Sequence, residues 1–295
     1  MVFHAGELAV QARAGVRQAA DRLSGMLEAP DLRGGIAHFL VDRTFAAMTA
    51  RDREGRLWIT PLTGEPGFLE VAGAAELQIH AAPRGPLQGL AAGQPVGLIV
   101  LELARRRRLR VNGTLVAVGG GDMDGGMDGD MTVQVDQAYG NCPQHIRSRA
   151  LARSDAATVS PSVRTATALT EADVDLVRRA DTFLLGTSHA ERSADASHRG
   201  GPAGFVRVLD ARTLTWPDFP GNAMFNSLGN LAVDSAAALL FVDFATGDTL
   251  HLSGTAEVVW GGAEDESGTD RAVAFTVESV VAGPAMPLRL SEASR

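Results

Sequence analysis

The feature that most restricts the fold of this chain is an internal repeat. Thr44-Phe45 recurs as Thr182-Phe183, and Gly67-Phe68 as Gly204-Phe205. Leu98-Ile99-Val100 recurs as Leu239-Leu240-Phe241, and Val111-Asn112-Gly113-Thr114 as Leu252-Ser253-Gly254-Thr255. The four pairs keep their order and stand about 140 residues apart. A period this long marks duplication of a whole domain, not the short unit of a solenoid. With 295 residues the chain has room for two domains of ordinary size. The natural division is 1–154 and 155–295, with the Ser/Thr/Ala-rich stretch 155–168 as linker.

Within each copy the patterning is that of short strands. Thr44–Thr49 and Arg56–Thr60 flank the turn-like Asp52–Gly55, and Phe68–Val71, Glu76–Ala81 and Thr132–Val135 are further candidates. Val96–Leu103 is a continuous apolar run, the length of a strand buried on both faces, and Leu109–Val118 alternates. Helices are fewer. Glu7–Leu27 carries apolar residues at near-helical spacing, and Pro143–Leu151 has Pro in first position. Thr170-Glu171-Ala172-Asp173 resembles a capping box opening a helix to about Ala180. About six short strands per copy favour small closed or partly closed barrels. The expected class is mostly β with flanking helices (α+β).

Charge and composition narrow the function. A net charge of −8 without a polybasic tail disfavours nucleic-acid binding. All 27 basic side chains are arginine, so an anion must be met by Arg or His, and no Schiff-base lysine exists. The single cysteine, Cys142, excludes an internal disulfide framework or a Cys-cluster metal site and is read as buried or capping. No run approaches the ~18 apolar residues of a spanning helix, and MVFHAGELAVQ lacks a basic leader with an apolar core. A cytoplasmic protein without membrane contact is the expectation.

Other motifs weigh against themselves. The aspartates of Gly119–Met131 suggest calcium, but the EF-hand order ending in glutamate is absent, which leaves a solvated loop. His189, Glu191 and His198 invite a metal, yet unpaired surface histidines are commoner, and no metal is expected. Ser188-His189 and Asp195 lack a GxSxG setting, and no Rossmann GxGxxG follows a strand. Arg105–Arg108 reads as a solvated or cofactor-facing edge.

The chemistry concentrates in Ser197–Leu231. A basic glycine turn (Arg199-Gly200-Gly201) leads to a predicted strand, Gly204–Leu209, a Pro/Gly-rich loop and a helix start bearing Asn222, Asn226, Ser227 and Asn230. A guanidinium fork, a glycine backbone and free helix N–H groups together suit a phosphate. An ordinary capped strand–loop–helix connection suits the same residues equally well.

These residues resemble the pyridoxamine 5'-phosphate oxidase-like FMN-binding split barrels, in particular a flavin-nucleotide-binding branch. The carrying segments are Arg199–Val206, Pro217–Asn222 and Asn226–Leu231, with Arg107–Gly113 and Tyr139–Pro143 in the first copy. The resemblance implies two tandem split barrels paired as an internal pseudo-dimer, with FMN between them. It puts the phosphate over Arg199, Gly200 and Asn226-Ser227, assisted by Asn222 and Asn230. The flavin ring would lie along Phe205, Val206, Arg207 and Val208 and beside Pro217 and Asp218, with Arg108 and Arg110 approaching from the other copy. Met224 and Gly229 stand where the branch usually carries basic residues, and the loop His80–Gly93 lacks the Asn/Ser set. One competent and one degenerate site are therefore expected. The implied function is an FMN-dependent oxidoreductase acting on a small molecule, with NAD(P)H a candidate donor, no catalytic acid or base identified, and room for a homodimer of the whole chain. The competing reading is a non-catalytic carrier of flavin, haem or deazaflavin.

Overall fold

The computed structural model describes residues 3–27, 30–119, 129–140, 143–154, 163–190, 192, 194–221, 223–261, 268–283 and 285–291. The first copy forms a seven-stranded antiparallel sheet. Its strands are β1 (Phe45–Arg51), β2 (Leu57–Thr63), β3 (Leu69–Gly73), β4 (Glu76–His80), β5 (Gln94–Glu102), β6 (Arg107–Val118) and β7 (Asp130–Gly140), in the order β2-β1-β5-β6-β7-β4-β3. After β8 (Leu151–Arg153) and β9 (Arg164–Ala166), the second copy supplies β10 (Thr182–Thr187), β11 (Asp195–Gly200), β12 (Arg207–Val208) and β13 (Thr213–Pro217). It continues with β14 (Ala236–Val242), β15 (Thr249–Trp260) and β16 (Arg271–Gly283), and the last strand is β17 (Leu288–Leu290). The second order is β11-β10-β14-β15-β16-β13-β12, the first order repeated strand for strand, with β9 added on β16. The chain is a mostly β, α+β protein of two tandem split barrels.

The repeat extends to irregularities. Register shifts fall between Asn112 and Gly113 in β6 and between Ser253 and Gly254 in β15. Both glycines are required by close approach. A Cβ on Gly113 would lie 2.1 Å from the Gln134 carbonyl oxygen, and one on Gly254 would lie 1.9 Å from that of Thr276. Neither oxygen can swing aside, because each belongs to the neighbouring strand. Gly113→Ala and Gly254→Ala are each expected to cost about 1–3 kcal/mol by overpacking, read as a lower urea midpoint. A midpoint equal to that of the parent would mean that the bulges relax freely.

Each barrel encloses its own apolar core. The first is built around Trp58, Leu98, Val111 and Val133, the second around Phe183, Trp216, Phe241 and Phe275. A third core lies between the copies and draws Phe45, Ile59 and Ile99 from the first and Leu184, Leu240 and Phe244 from the second. Strands β8 and β17 pair with each other, so the segment after the first sheet is tied to the segment after the second.

Several sequence expectations are corrected. Glu7–Leu27 is not one helix but α1 (Ala5–Arg13), α2 (Arg17–Asp21) and a 3-10 turn at Ser24–Leu27, broken where Gly15 takes φ +69°. A helix α3 (Gly35–Val41) precedes β1, and α4 (Glu171–Arg179) occupies the corresponding place in the second copy. The Thr170–Asp173 capping box at α4 is formed. Pro143–Leu151 contains no helix: His145 turns left-handed at φ +66° and the chain runs out into β8. Arg199 and Gly200, expected in a turn with Gly201, are instead the end of β11, paired residue for residue with β10. The predicted strand Gly204–Leu209 shrinks to Arg207–Val208, because Gly204 adopts φ +82° and Phe205 hydrogen-bonds back to Pro202. Most of the Gly119–Met131 loop, residues 155–162 of the linker, and Cys142, Glu191 and Asn222 lie outside the described residues. Among the described residues no helix is long and apolar enough to cross a membrane, and no cluster of ligands suits a metal.

Candidate functional site

A cavity of about 220 Å³ opens between the two copies, lined by β11, the loop after β13 and the helix α5 (Asn226–Leu231) of the second, and by β6 of the first. Why arginines gather here follows from β-strand geometry. Arg108 and Arg110 are two apart on β6 and so lie on one face, and both reach the second barrel. Asp195, Ser197 and Arg199 stand at alternate positions of β11. Arg110 donates from Nη1 to both carboxylate oxygens of Asp195, at 3.0 and 3.1 Å. The hydroxyl of Ser227 donates to the same carboxylate at 2.7 Å. On the opposite wall the Asp218 carboxylate accepts from Arg199 at 3.3 Å and from Arg271 at 3.1 Å.

Four guanidiniums and one carboxylate, that of Asp218, therefore line the cavity, in a chain whose overall charge is −8. Burial pulls the Arg199 guanidinium below its ordinary range, with Asp218 opposing. Burial, aided by the nearby Arg108, pushes the His198 imidazole down to about 3, so it is neutral at physiological pH. Nitrogens of lining residues buried without a hydrogen-bond partner include Arg110 Nε, Arg199 Nε, His198 Nε2 and Trp216 Nε1. Buried donors of this kind are rare unless something accepts from them. The donor set fits an anion or an acceptor-rich ring. The apolar wall comes from Phe205, which stacks on Phe183 at 5.8 Å, and from Phe219, whose ring stacks on His145 at 5.1 Å.

Nine of the sequence-derived positions meet at this cavity: Arg108, Arg110, Arg199, Gly200, Phe205, Pro217, Asp218, Asn226 and Ser227. Four described ones do not line it. Val206 is buried in the second core, Val208 packs on that core's edge, and Arg207 is exposed. Asn230 faces the N-terminal helix, donating to Thr187 Oγ1 at 3.0 Å and accepting from His4 at 3.1 Å. Helix α5 is only six residues long and carries no side-chain cap; Phe225 precedes it in the left-handed region at φ +59°. The Asn226 amide is committed to Glu7, donating at 2.7 Å.

Sequence reasoning missed Arg271 and His145 and gave Asp195 and His198 other roles. The alternation Asp195-x-Ser197-x-Arg199 carries the signal for Asp195. The N-terminal helix was also missed as a neighbour. Gly6 and Gly229 let α1 and α5 touch backbone to backbone, since a Cβ on Gly6 would lie 2.1 Å from the Gly229 carbonyl oxygen.

The corresponding place on the other side of the interface is nearly closed, at about 20 Å³. His251 stands there where Arg110 stands in the first site. Thr49 pairs with Ile59 as Thr187 pairs with Asp195, so Ile59 takes the place of that carboxylate. The imidazole Nδ1 of His251 donates to the Ile59 carbonyl at 2.9 Å. An apolar side chain and a backbone oxygen thus replace a charged pair.

Residues 169–290 match the family model described as pyridoxamine 5'-phosphate oxidase, which spans the second barrel from α4 to β17. Over these residues the chain is similar to that family. Similar solved structures include HupZ of Group A Streptococcus, 17% identical over 40% of this chain and 98% of that one, with a TM-score of 0.32. An FAD-binding protein of Mesorhizobium loti is 11% identical over 43% and 100%, with a TM-score of 0.31. A Clostridium acetobutylicum protein of the pyridoxinephosphate oxidase family, related to general stress protein 26 of B. subtilis, is 16% identical over 37% and 84%, with a TM-score of 0.29. Comparison with curated proteins gives no match.

Proposed function

We propose that the cavity between the barrels binds FMN and that the protein is a flavin-dependent oxidoreductase acting on a small molecule. The observation that carries this reading is the convergence of Arg108 and Arg110 from one copy with Arg199 and Arg271 from the other on a cavity whose lining holds unpartnered buried nitrogens. The similarity of the second barrel to the pyridoxamine 5'-phosphate oxidase family supports it. A bound flavin supplies the hydride or electron transfer. The chain's own residues do the rest. Arg199 and its neighbours offset phosphate charge, Phe205, Trp216 and Phe219 exclude water from the ring, and neutral His198 offers a hydrogen bond without adding charge.

The test is spectroscopic. The purified protein, or the protein after addition of FMN, should show flavin absorption that NADH or NADPH bleaches under anaerobic conditions. Flavin absorption that no nicotinamide bleaches would leave a carrier, and a sharp Soret band or no FMN binding would remove the reading. Arg199→Ala should weaken FMN binding roughly tenfold to a hundredfold, the loss of one charge-assisted contact. The fold should tolerate it, because Asp218 keeps Arg271 as a partner. Parent-like FMN affinity in that variant would show that the phosphate is held elsewhere.

A further inference from the structure

A second groove, on the first barrel, has no part in the reading above. It measures about 760 Å³, and Met26, Ile36, Phe39 and Leu109 form its apolar wall and floor. Its rim is Arg105, Arg106, Arg107 and Arg108, and no acidic residue is among the described residues that line it. Four consecutive residues of a regular strand would alternate between faces and could not share one groove. Here they do, because Arg106 takes the left-handed conformation, φ +54° and ψ +41°, between the one-turn 3-10 segment Leu103–Arg105 and β6. Left-handed backbone is uncommon for a side chain of this size. It converts an alternating run into a cluster.

Neutralisation of the cluster is incomplete. One carboxylate, Glu102, serves three guanidiniums: Arg43 at 2.9 Å, Arg105 at 3.3 Å and Arg107 at 3.6 Å. Among the described residues Arg106 reaches only a backbone oxygen, that of Pro143 at 3.3 Å. The floor is arranged as well as the rim. The guanidiniums of Arg43 and Arg107 lie 4.8 and 4.9 Å from the Phe39 ring centroid, so cations already sit against this aromatic ring. A positive rim over a flat apolar floor selects for charge and shape together.

We propose that this groove binds an organic anion: a flat apolar body carrying carboxylate, sulfonate or phosphate groups that the arginine fork can grip. A bare inorganic anion would leave the floor unused, and a neutral aromatic would leave the rim unused. Arg108 also lines the cavity between the barrels, and its Nη1 lies 3.4 Å from both Nδ1 and the carbonyl oxygen of His198. An occupant of the groove therefore touches a side chain that the first site shares. The binding itself does not depend on what that first site holds.

The experiment is a calorimetric titration of the full-length protein as purified, with naphthalene-1,5-disulfonate as the flat dianion. Inorganic pyrophosphate serves as the compact anion and 2-naphthol as the neutral body. One saturable site per chain is expected for the disulfonate, with both controls weaker by about tenfold or more, since each lacks one half of the recognition. The double variant Arg106→Gln/Arg107→Gln should weaken the disulfonate by about tenfold or more. Its unfolding midpoint should change little, because both side chains are exposed and Glu102 keeps Arg43 as a partner. Ile36→Glu, which places a carboxylate on the floor, should weaken it independently. The proposal is overturned by failure of the disulfonate to saturate, by equal affinity in the double variant, or by pyrophosphate binding as tightly as the disulfonate.

Discussion

Asp195→Ala is expected to lower the unfolding free energy by about 3–5 kcal/mol, the cost of leaving a buried guanidinium without its carboxylate. The Arg110 and Asp195 side chains are 9% and 3% exposed, so solvent cannot take over for either. Their contact joins the two barrels, and Ser227 donates to the same carboxylate from α5. The alanine variant should therefore unfold at a lower denaturant concentration and hold FMN less tightly. Removing both charges is a different matter: Asp195→Leu combined with Arg110→Met should recover most of the stability, since a buried pair is often no better than apolar residues of similar size. Recovery of stability without recovery of FMN binding would separate the pair's role in folding from its role in the site. A loss below about 1 kcal/mol in the alanine variant would mean that the pair does not hold the barrels together.

The second large effect is on acid stability. Burial holds His251 and His4 at about 4 and His198 at about 3, while in the unfolded chain each titrates near 6.5. Below that value the unfolded state takes up protons that the folded state refuses, so stability falls as pH is lowered. Glu7 acts in the opposite sense. Burial raises its carboxyl to about 7, with the hydrogen bonds from the His4 backbone and Asn226 opposing. The folded state therefore takes up that proton first, and stability from this group rises as pH falls from 7 towards 4.5. Three histidines against one carboxyl leave a net uptake of about two protons on unfolding between pH 6.5 and 4.5, or roughly 2.7 kcal/mol lost per pH unit. Urea midpoints measured from pH 7.5 to 4.5 should trace this acid limb. His251→Gln should flatten it by about one proton, whatever it does to stability at neutral pH. A limb of unchanged slope in the glutamine variant would show that His251 is protonated in the folded protein.

Much of the architecture could be read before any coordinates. The repeated tetrapeptides around Gly113 and Gly254 mark the bulged strands, and Leu98–Val100 and Leu239–Phe241 mark the strands beside them. Sequence patterning failed where a backbone twist or a tertiary contact overrode it. The helical spacing of Glu7–Leu27 says nothing of the left-handed Gly15 that breaks it, and Arg199-Gly200-Gly201 reads as a turn. Arg199 and Gly200 are instead in strand β11, where Arg199 is met by Asp218 of the same barrel. At the site, Arg199 was legible as a basic residue beside two glycines, and Arg108 and Arg110 through the family resemblance. Arg271, His145 and the contact of Glu7 with Asn226 were not, since each depends on chain separated by many tens of residues.

The nearly closed second space bears on how such a chain can change. In a pair of identical subunits any substitution lands twice, so a group that ruins one half of the arrangement ruins the other with it. Fusing the halves end to end removes that penalty. His251 and Ile59 fill their own side while Arg110 and Asp195 keep theirs open, an inequality no homodimer of a single barrel could sustain. Such a chain should saturate at one equivalent of cofactor for two barrels, and the vacated half is left available for a purpose of its own.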